Sequence, residues 1–292
     1  MTIGFEVLHY QTIEDTISCV SSINNHVKEP VIVIVDNASP NGSGKKLAEL
    51  YKNHNNIKVI LSEENLGFAK GNNIGYEYLK VNYNCDFICC INNDTLLVEG
   101  DFEDKIVDIY NKEKFGILAP KVLLKDNSIQ SFNPVFHNID YYQKELKIWT
   151  ENDNYSKYLK SKGNIVFLQA YFPRIMGVIR KGKQKITKAY DHSIKNVVLH
   201  GCFLIFSKKY IDKFDQAFNP STFMYREEEL LFIRAQKESL ITLYSTDIIV
   251  KHMEDAATNS IYANKEAKYQ FMRQNQINSL KILIKEMKEL GV

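Results

Sequence analysis

The chain has 292 residues, 45% of them hydrophobic and 25% charged, a composition that excludes an intrinsically disordered chain and accommodates one large α/β domain. A formal net charge of +2 offers no global attraction to nucleic acid, and no stretch approaches the ~18 uninterrupted apolar residues of a membrane span. Five cysteines and no signal peptide point to a reducing compartment, the cytoplasm, and to buried structural thiols; Cys85, Cys89 and Cys90 have no second ligand cluster with which to hold a metal.

Ile3 to Tyr10 opens the chain as a short apolar strand. Thr12 then precedes Ile13, Ile17, Val20 and Ile23 at helical spacing, with Asp15 three residues on, which predicts a capped amphipathic helix. Val31 to Val35, five β-branched residues after Pro30, reads as a strand buried on both faces that stops at Asp36-Asn37-Ala38-Ser39. Ser43 to His54 follows as a helix and Ile57 to Leu61 as a third strand. Glycines 67, 71 and 75 recur every four residues, so they line one face of a helix and let backbone or ligand approach closely. Phe87 to Ile91 is a further apolar run that ends in Asn92-Asn93-Asp94, which is either a plain turn or a polar site at the carboxyl edge of a central strand. This alternation predicts an α/β fold with a mostly parallel central sheet and flanking helices. The glycine-rich turn of a dinucleotide-binding dehydrogenase is absent after the first strand, and no NTPase phosphate loop occurs.

Phe102 to Lys112 reads as a helix and Gly116 to Ala119 as a strand. Residues 125–195 lack clean periodicity, and Arg174, Arg180, Lys181, Lys183, Lys185 and Lys188 crowd one segment that reads as a basic loop or as a lid over an anionic ligand. Val197 to Phe206 is an apolar strand interrupted by Gly201, and Lys208 to Phe214 a short helix. Glu227, Glu228 and Glu229 then occupy the first turn of an apolar helix. Complementarity to the helix dipole accounts for acids there, but three in succession project about 100° apart, so at least one faces a pocket. The strand Ile248 to Val250 leads into Lys251-His252-Met253-Glu254-Asp255-Ala256-Ala257-Thr258. From Asn264 a terminal helix carries Phe271, Ile277, Leu280, Leu283, Ile284 and Met287 beside many lysines, a face for packing on the domain or for peripheral contact with an anionic bilayer.

Taken together, Val35-Asp36-Asn37-Ala38-Ser39, Asn65-Leu66-Gly67-Phe68-Ala69, Gly71-Asn72-Asn73-Ile74-Gly75, Asn92-Asn93-Asp94-Thr95 and Tyr225-Arg226-Glu227-Glu228 resemble the family 2 inverting glycosyltransferases in order and approximate spacing. The segment from His252 to Asn259 is similar to members that build bacterial capsular or exopolysaccharide repeats. The resemblance implies the nucleotide-diphospho-sugar transferase (glycosyltransferase A-type) fold over residues 1–263, with a donor half to about 120, an acceptor half after it, and residues 264–292 as a helical tail. It implies a UDP- or dTDP-sugar donor, a saccharide or lipid-linked oligosaccharide acceptor, and Mn2+ or Mg2+ as cofactor. Residue by residue, it implies that Asp36 reads the nucleotide base beside Asn65, Gly67 and Asn72, with Asn93 also on the donor. Asn92-Asn93-Asp94 stands where the family has its Asp-x-Asp metal motif, so Asp94 carries most of the metal binding, with Asn92 a weaker ligand and His252 approaching the metal or diphosphate. Glu227-Glu228 matches the family's Glu-Asp pair, whose second member is the catalytic base.

That chemistry suits the residues themselves. Expelling a nucleoside diphosphate needs a cation on the leaving oxygens and a carboxylate to take the proton of the incoming hydroxyl. A single displacement inverts the anomeric centre without a covalent intermediate. Two departures, Asn92 for the first Asp and Leu230 where many members have another acid, suit instead a non-catalytic nucleotide-sugar-binding partner of another transferase. A nucleotidyltransferase would carry an N-terminal glycine-rich phosphate loop that this chain lacks.

Overall fold

The computed structural model describes residues 1–161, 190–253 and 264–291. Among these residues, β1 (Ile3–His9), β2 (Val31–Asp36), β3 (Ile57–Leu61), β4 (Phe87–Asn92), β5 (Thr95–Leu97), β6 (Ile117–Leu123), β7 (Ile194–Lys195), β8 (Phe203–Ser207) and β9 (Thr242–His252) form one sheet. Its order is β3-β2-β1-β4-β8-β6-β9-β5, with β7 beside β9. The helices are α1 (Ile13–His26), α2 (Ser43–Tyr51), α3 (Gly67–Asn82), α4 (Phe102–Glu113), α5 (Ile139–Glu151), α6 (Tyr155–Ser161), α7 (Lys208–Ile211), α8 (Glu227–Lys237) and α9 (Lys265–Leu290).

The first four strands of that order run parallel, and β6 and β9 point the same way. β8 runs antiparallel between β4 and β6, and β5 and β7 run antiparallel to β9. The apolar strand read over Val197 to Phe206 narrows to β8, while Val197, Val198 and Leu199 are buried outside it.

The unbroken β-branched run of β2 is explained by burial on both sides. Ile32 and Ile34 pack with Val20 and Ile23 of α1, Leu47 of α2 and Ile106 of α4. Val33 and Val35 pack on the opposite face with Tyr76 and Leu79 of α3, Tyr210 of α7 and Leu231 of α8. A third cluster joins Tyr142 and Trp149 of α5, Leu230 and Ile233 of α8, and Tyr269, Leu280, Leu283 and Met287 of α9. The apolar face of the terminal helix therefore lies against the domain.

Three local readings change. Residues 125–195 are not uniformly irregular: α5 begins at Asn138, whose side chain accepts from the Tyr141 N–H, and its buried Tyr142 and Trp149 are spaced by seven residues among polar neighbours that mask the period. Thr12 does not cap α1 through its side chain; its hydroxyl accepts from Asn93 instead. β9 extends well past Ile248–Val250 because it also pairs with β6 through Thr242–Ser245. The basic segment from Arg174 to Lys188 and the Glu254-Asp255-Ala256-Ala257-Thr258-Asn259 motif lie outside the described residues.

Candidate active site

Register places the carboxyl ends of three parallel strands together: His9 of β1 is opposite Asp36 of β2, and Leu8 is opposite Asn92 of β4. Asp36 is buried and its carboxylate accepts the Ser39 N–H at 3.2 Å. The start of α2 presses on it so closely that a Cβ at Gly44 would lie 1.9 Å from Oδ2, which requires glycine there. Asn37 acts as a clasp: its Nδ2 donates to Asn65 Oδ1 at 3.1 Å and Gly67 O at 3.0 Å, and its Oδ1 accepts the Leu66 N–H at 2.8 Å. Gly67 turns into α3 with φ of +77°, and a Cβ there would meet the Phe223 carbonyl at 2.1 Å. The Phe68 N–H donates to that same carbonyl at 2.7 Å, tying the donor loop to the segment before α8.

Asp36, Asn65 and Gly67 are thus gathered at one edge. Asn72 lies a turn inside α3 with its amide on Phe68 O at 2.8 Å. The Asn93 amide turns inward to the hydroxyls of Thr12, at 2.8 Å, and Thr16, at 2.9 Å. Both serve the framework of the edge in this structure.

The turn after β4 is held by the Asn92 N–H on Cys202 O and the Met253 N–H on Asp94 O, each at 2.9 Å. Asp94 Oδ1 lies 3.1 Å from His252 Nε2, and His252 Nδ1 lies 3.0 Å from Gln130 Oε1. With Gln130 Oε1 accepting the Nδ1 proton, the 3.1 Å contact between Nε2 and Asp94 is a hydrogen bond that needs a proton on one of the two groups. Two donors about 3 Å apart suit neighbouring positions of an octahedral shell of Mg2+ or Mn2+, whose other positions substrate oxygens and water can fill. Among the described residues no group of three or more His, Cys, Asp and Glu side chains converges. Asp94 and His252 are therefore one carboxylate and one imidazole at hydrogen-bond distance, fewer groups than a complete metal site has. The His200 ring centre lies 6.3 Å from that of His252, and burial together with the neighbouring imidazole pushes the His200 pKa down to about 4, so it stays neutral.

The three acids of α8 separate into three environments. Tyr225 (φ 75°) and Arg226 (φ 69°) are consecutive left-handed residues, a conformation that costs about 1–3 kcal/mol for each non-glycine residue and concentrates at functional sites. Arg226 is fixed by Glu145 and Glu229, both at 2.8 Å, and by Gln276 Oε1 at 3.2 Å, so Glu229 is an ion-pair partner. Glu227 is buried near Thr222, and its Oε1 has no hydrogen-bond partner among the described residues. Burial, reinforced by the charge of Glu228, raises its pKa to about 8. Glu228 is only partly accessible and lies against Gly201, where a Cβ would come 2.7 Å from Oε1. Burial and the charge of Glu229 raise its pKa to about 7. Gly201 lies against Glu228 and the Cys202 carbonyl accepts the Asn92 N–H at 2.9 Å, so the 200–202 segment touches both the start of α8 and the turn after β4.

The mostly parallel sheet with flanking helices is the A-type glycosyltransferase fold. The chain belongs to glycosyl transferase family 2, whose model matches residues 7–214. The low-salt glycan biosynthesis hexosyltransferase Agl10 of Haloferax volcanii is 22% identical over 234 residues, 80% of this chain and 61% of that protein. The chain thus spans 61% of the length of this curated relative. The solved structure of S. aureus TarS 1-349 has the same fold, with a TM-score of 0.51 at 14% identity over 87% of this chain and 60% of that one. Sequence reasoning missed His9, Asn37, Gln130, His200 and Gly201 as parts of this edge. Only Asn37, next to Asp36 in a quoted motif, and Gly201, a glycine interrupting an apolar run, gave a signal.

Proposed function

We propose that the protein is an inverting hexosyltransferase that moves a sugar from a UDP- or dTDP-sugar to a hydroxyl of a saccharide or lipid-linked oligosaccharide, in capsular or exopolysaccharide synthesis. The observation that supports this reading is that residues 201–202 touch both elements: Gly201 lies against Glu228, and Cys202 O accepts the N–H of Asn92, at the head of the turn that carries Asp94. Asp94 and His252, with Asn92 as a weaker ligand, would hold Mn2+ or Mg2+, which when bound would offset charge on the departing diphosphate. Asp36 accepts the imide N–H of uracil or thymine, beside Asn65 and Gly67. Glu228 takes the acceptor proton: a carboxylate with pKa near 7 is ionised in part at neutral pH and basic enough to remove a hydroxyl proton as the bond to the sugar forms. Glu227, buried and mostly protonated at neutral pH, offers a donor to the acceptor sugar.

The Agl10 name supports the hexosyl reading. Leu230 departs from the family as a core residue, packed with Tyr142 and Leu280, so its change of type is structural. Asn92 remains the feature that favours a non-catalytic partner. Among the described residues no helix is long and apolar enough to cross a membrane, and because the apolar face of α9 is covered, contact with an anionic bilayer falls to lysines such as Lys281 and Lys285. The test is turnover of a panel of UDP- and dTDP-sugars with Mn2+ or Mg2+, scored by release of nucleoside diphosphate. Release by the wild type and none by Glu228→Gln supports the reading. Tight nucleotide binding with no release on any acceptor or on water would favour the non-catalytic partner.

A further inference from the structure

His9 is completely buried at the end of β1, opposite Asp36 on one side, while its neighbour Leu8 is opposite Asn92 on the other. It therefore stands between the loop assigned to the nucleotide base and the turn assigned to the metal. A line of short hydrogen bonds passes through it. Asn93 Nδ2 donates to Thr16 Oγ1 at 2.9 Å, and Thr16 Oγ1 lies 2.7 Å from His9 Nδ1. On the far side His9 Nε2 lies 2.8 Å from Ser43 Oγ, which donates to Asn41 Oδ1 at 2.7 Å.

The proton positions follow from that last bond. Ser43 gives its only hydroxyl hydrogen to Asn41, so it must accept from the Nε2–H of His9. The neutral ring then carries its lone pair at Nδ1 and accepts the Thr16 hydroxyl, a contact shorter than the 3.3 Å that the same hydroxyl makes with Thr12 O. Burial, which outweighs the nearby Asp36 carboxylate at 3.9 Å, depresses the pKa of the ring and keeps it neutral. Each ring nitrogen thus has one hydroxyl partner at the start of a different helix, and each hydroxyl is bonded in turn to a different loop, Thr16 of α1 to Asn93 and Ser43 of α2 to Asn41.

We propose that His9 is a positioning residue that fixes the Asn92-Asn93-Asp94 turn through Nδ1 and the Asp36-to-Ser43 loop through Nε2, an inference that rests on the donor-site reading above. A residue that merely fills the core would affect both loops together. A residue with two independent arms can have them cut one at a time.

Two substitutions make the cut. His9→Asn places an amide oxygen near the Nδ1 position and abandons Ser43; His9→Gln places an amide nitrogen near the Nε2 position and abandons Thr16. The probes are UDP with chelator, by calorimetry, which reads the nucleotide loop, and Mn2+ alone, by electron paramagnetic resonance, which reads the turn. His9→Asn is expected to weaken UDP about three- to tenfold, the range of one lost hydrogen bond, and to leave Mn2+ within about twofold; His9→Gln is expected to do the reverse. Ser43→Ala and Thr16→Val cut the same arms from their far ends and should reproduce His9→Asn and His9→Gln respectively, should the ring variants fail to fold. Ser207→Ala, which removes a buried hydroxyl bonded to Phe115 O at 2.7 Å, should lower the melting temperature and change neither affinity. Equal loss of both ligands in every arm variant, or loss of neither, overturns the proposal. A wild-type protein that binds neither UDP nor Mn2+ overturns the donor-site reading and this inference with it.

Discussion

The edge at Asp36 and the start of α8 are linked by the Phe68 N–H bond to Phe223 O and differ in how their polar side chains are satisfied. At the donor edge, Asp36, Asn37 and Asn65 each bond to backbone N–H groups, and Asn37 also uses its own amide on the loop it faces. At α8 the chain enters through two left-handed non-glycine residues, Glu227 keeps an oxygen unpartnered among the described residues, and two carboxylates have pKa values raised to about 8 and about 7. A buried polar atom without a partner costs about 1–3 kcal/mol, so the second region is less stable than it could be until something binds there. The contrast suits a nucleotide fragment of fixed shape held by a rigid frame, and an acceptor hydroxyl met by groups whose protonation must change during reaction.

The largest expected effect breaks the link between the two regions. Asp94→Ala removes the carboxylate proposed to hold the cation, and because charge neutralisation by a metal is worth several kcal/mol, turnover should fall by at least about a thousandfold. Nucleotide-sugar assays with and without chelator check this; full activity in excess chelator would remove the metal from the reaction. Next, Glu228→Gln should lower kcat by about 10²–10⁴ with UDP affinity unchanged, since the side chain acts on the acceptor. The pH profile carries the same information. A base must be deprotonated, so activity should decline as pH falls below about 7, tenfold per unit at the limit, and the residual activity of the Gln variant should lack that limb. A dead Glu227→Gln beside an active Glu228→Gln would move the base by one residue.

On the rigid side, Asp36→Asn should weaken UDP about tenfold to a hundredfold, the scale of a hydrogen bond to a charged acceptor, without shifting the pH profile. Cytosine lacks the imide donor, so CDP should bind the wild type poorly and the variant no worse. Calorimetry decides: CDP binding the wild type as tightly as UDP would end the base-reading role of Asp36.

Strands β1, β2 and β4 were legible because their side chains repeat a physical need, burial on both faces, and the site residues that end them were legible because polar groups stop an apolar run. Asp36 and Asp94 are of that kind. The partners that hold them were hidden for two reasons. Gln130 and His200 reach the site only through tertiary contacts with His252, which lies 122 and 52 positions further along the chain. His9 is the last residue of an apolar strand, where a single imidazole carries no local sign of whether it faces a ligand or a hydroxyl. α5 was lost because its buried face is made of Tyr142 and Trp149, which a search for aliphatic period does not weigh. The separation of Glu229 from Glu228 required Arg226, whose left-handed backbone aims it at Glu145 and Glu229.

The smallest expected effect concerns stability alone and sharpens the comparison from the donor half. Glu6, in the middle of β1, is fully buried under Gly75 of α3, whose added Cβ would fall 2.2 Å from the Glu6 Cγ. Neither of its carboxylate oxygens has a hydrogen-bond partner among the described residues, and burial raises its pKa well above the usual range, moderated by the adjacent Cys90 thiol. At α8 the unpartnered acid adjoins the proposed acceptor site; Glu6 lies inside the sheet beneath α3, so there the acid is only a cost. The folded state holds the Glu6 proton to a higher pH than the unfolded chain, which releases it near pH 4.3. Stability from this group is therefore complete below about pH 4.3 and is lost as pH rises towards the folded pKa, by up to about 1.4 kcal/mol per unit. Glu6→Gln keeps the volume beneath Gly75 and abolishes the ionisation. Urea unfolding should find the variant and the wild type nearly equal at pH 5 and the variant more stable by about 1–3 kcal/mol at pH 8, with nucleotide affinity unchanged. A gap that does not widen with pH would mean that Glu6 is already ionised and solvated in the folded protein, and that the donor half holds its charges as openly as α8 does.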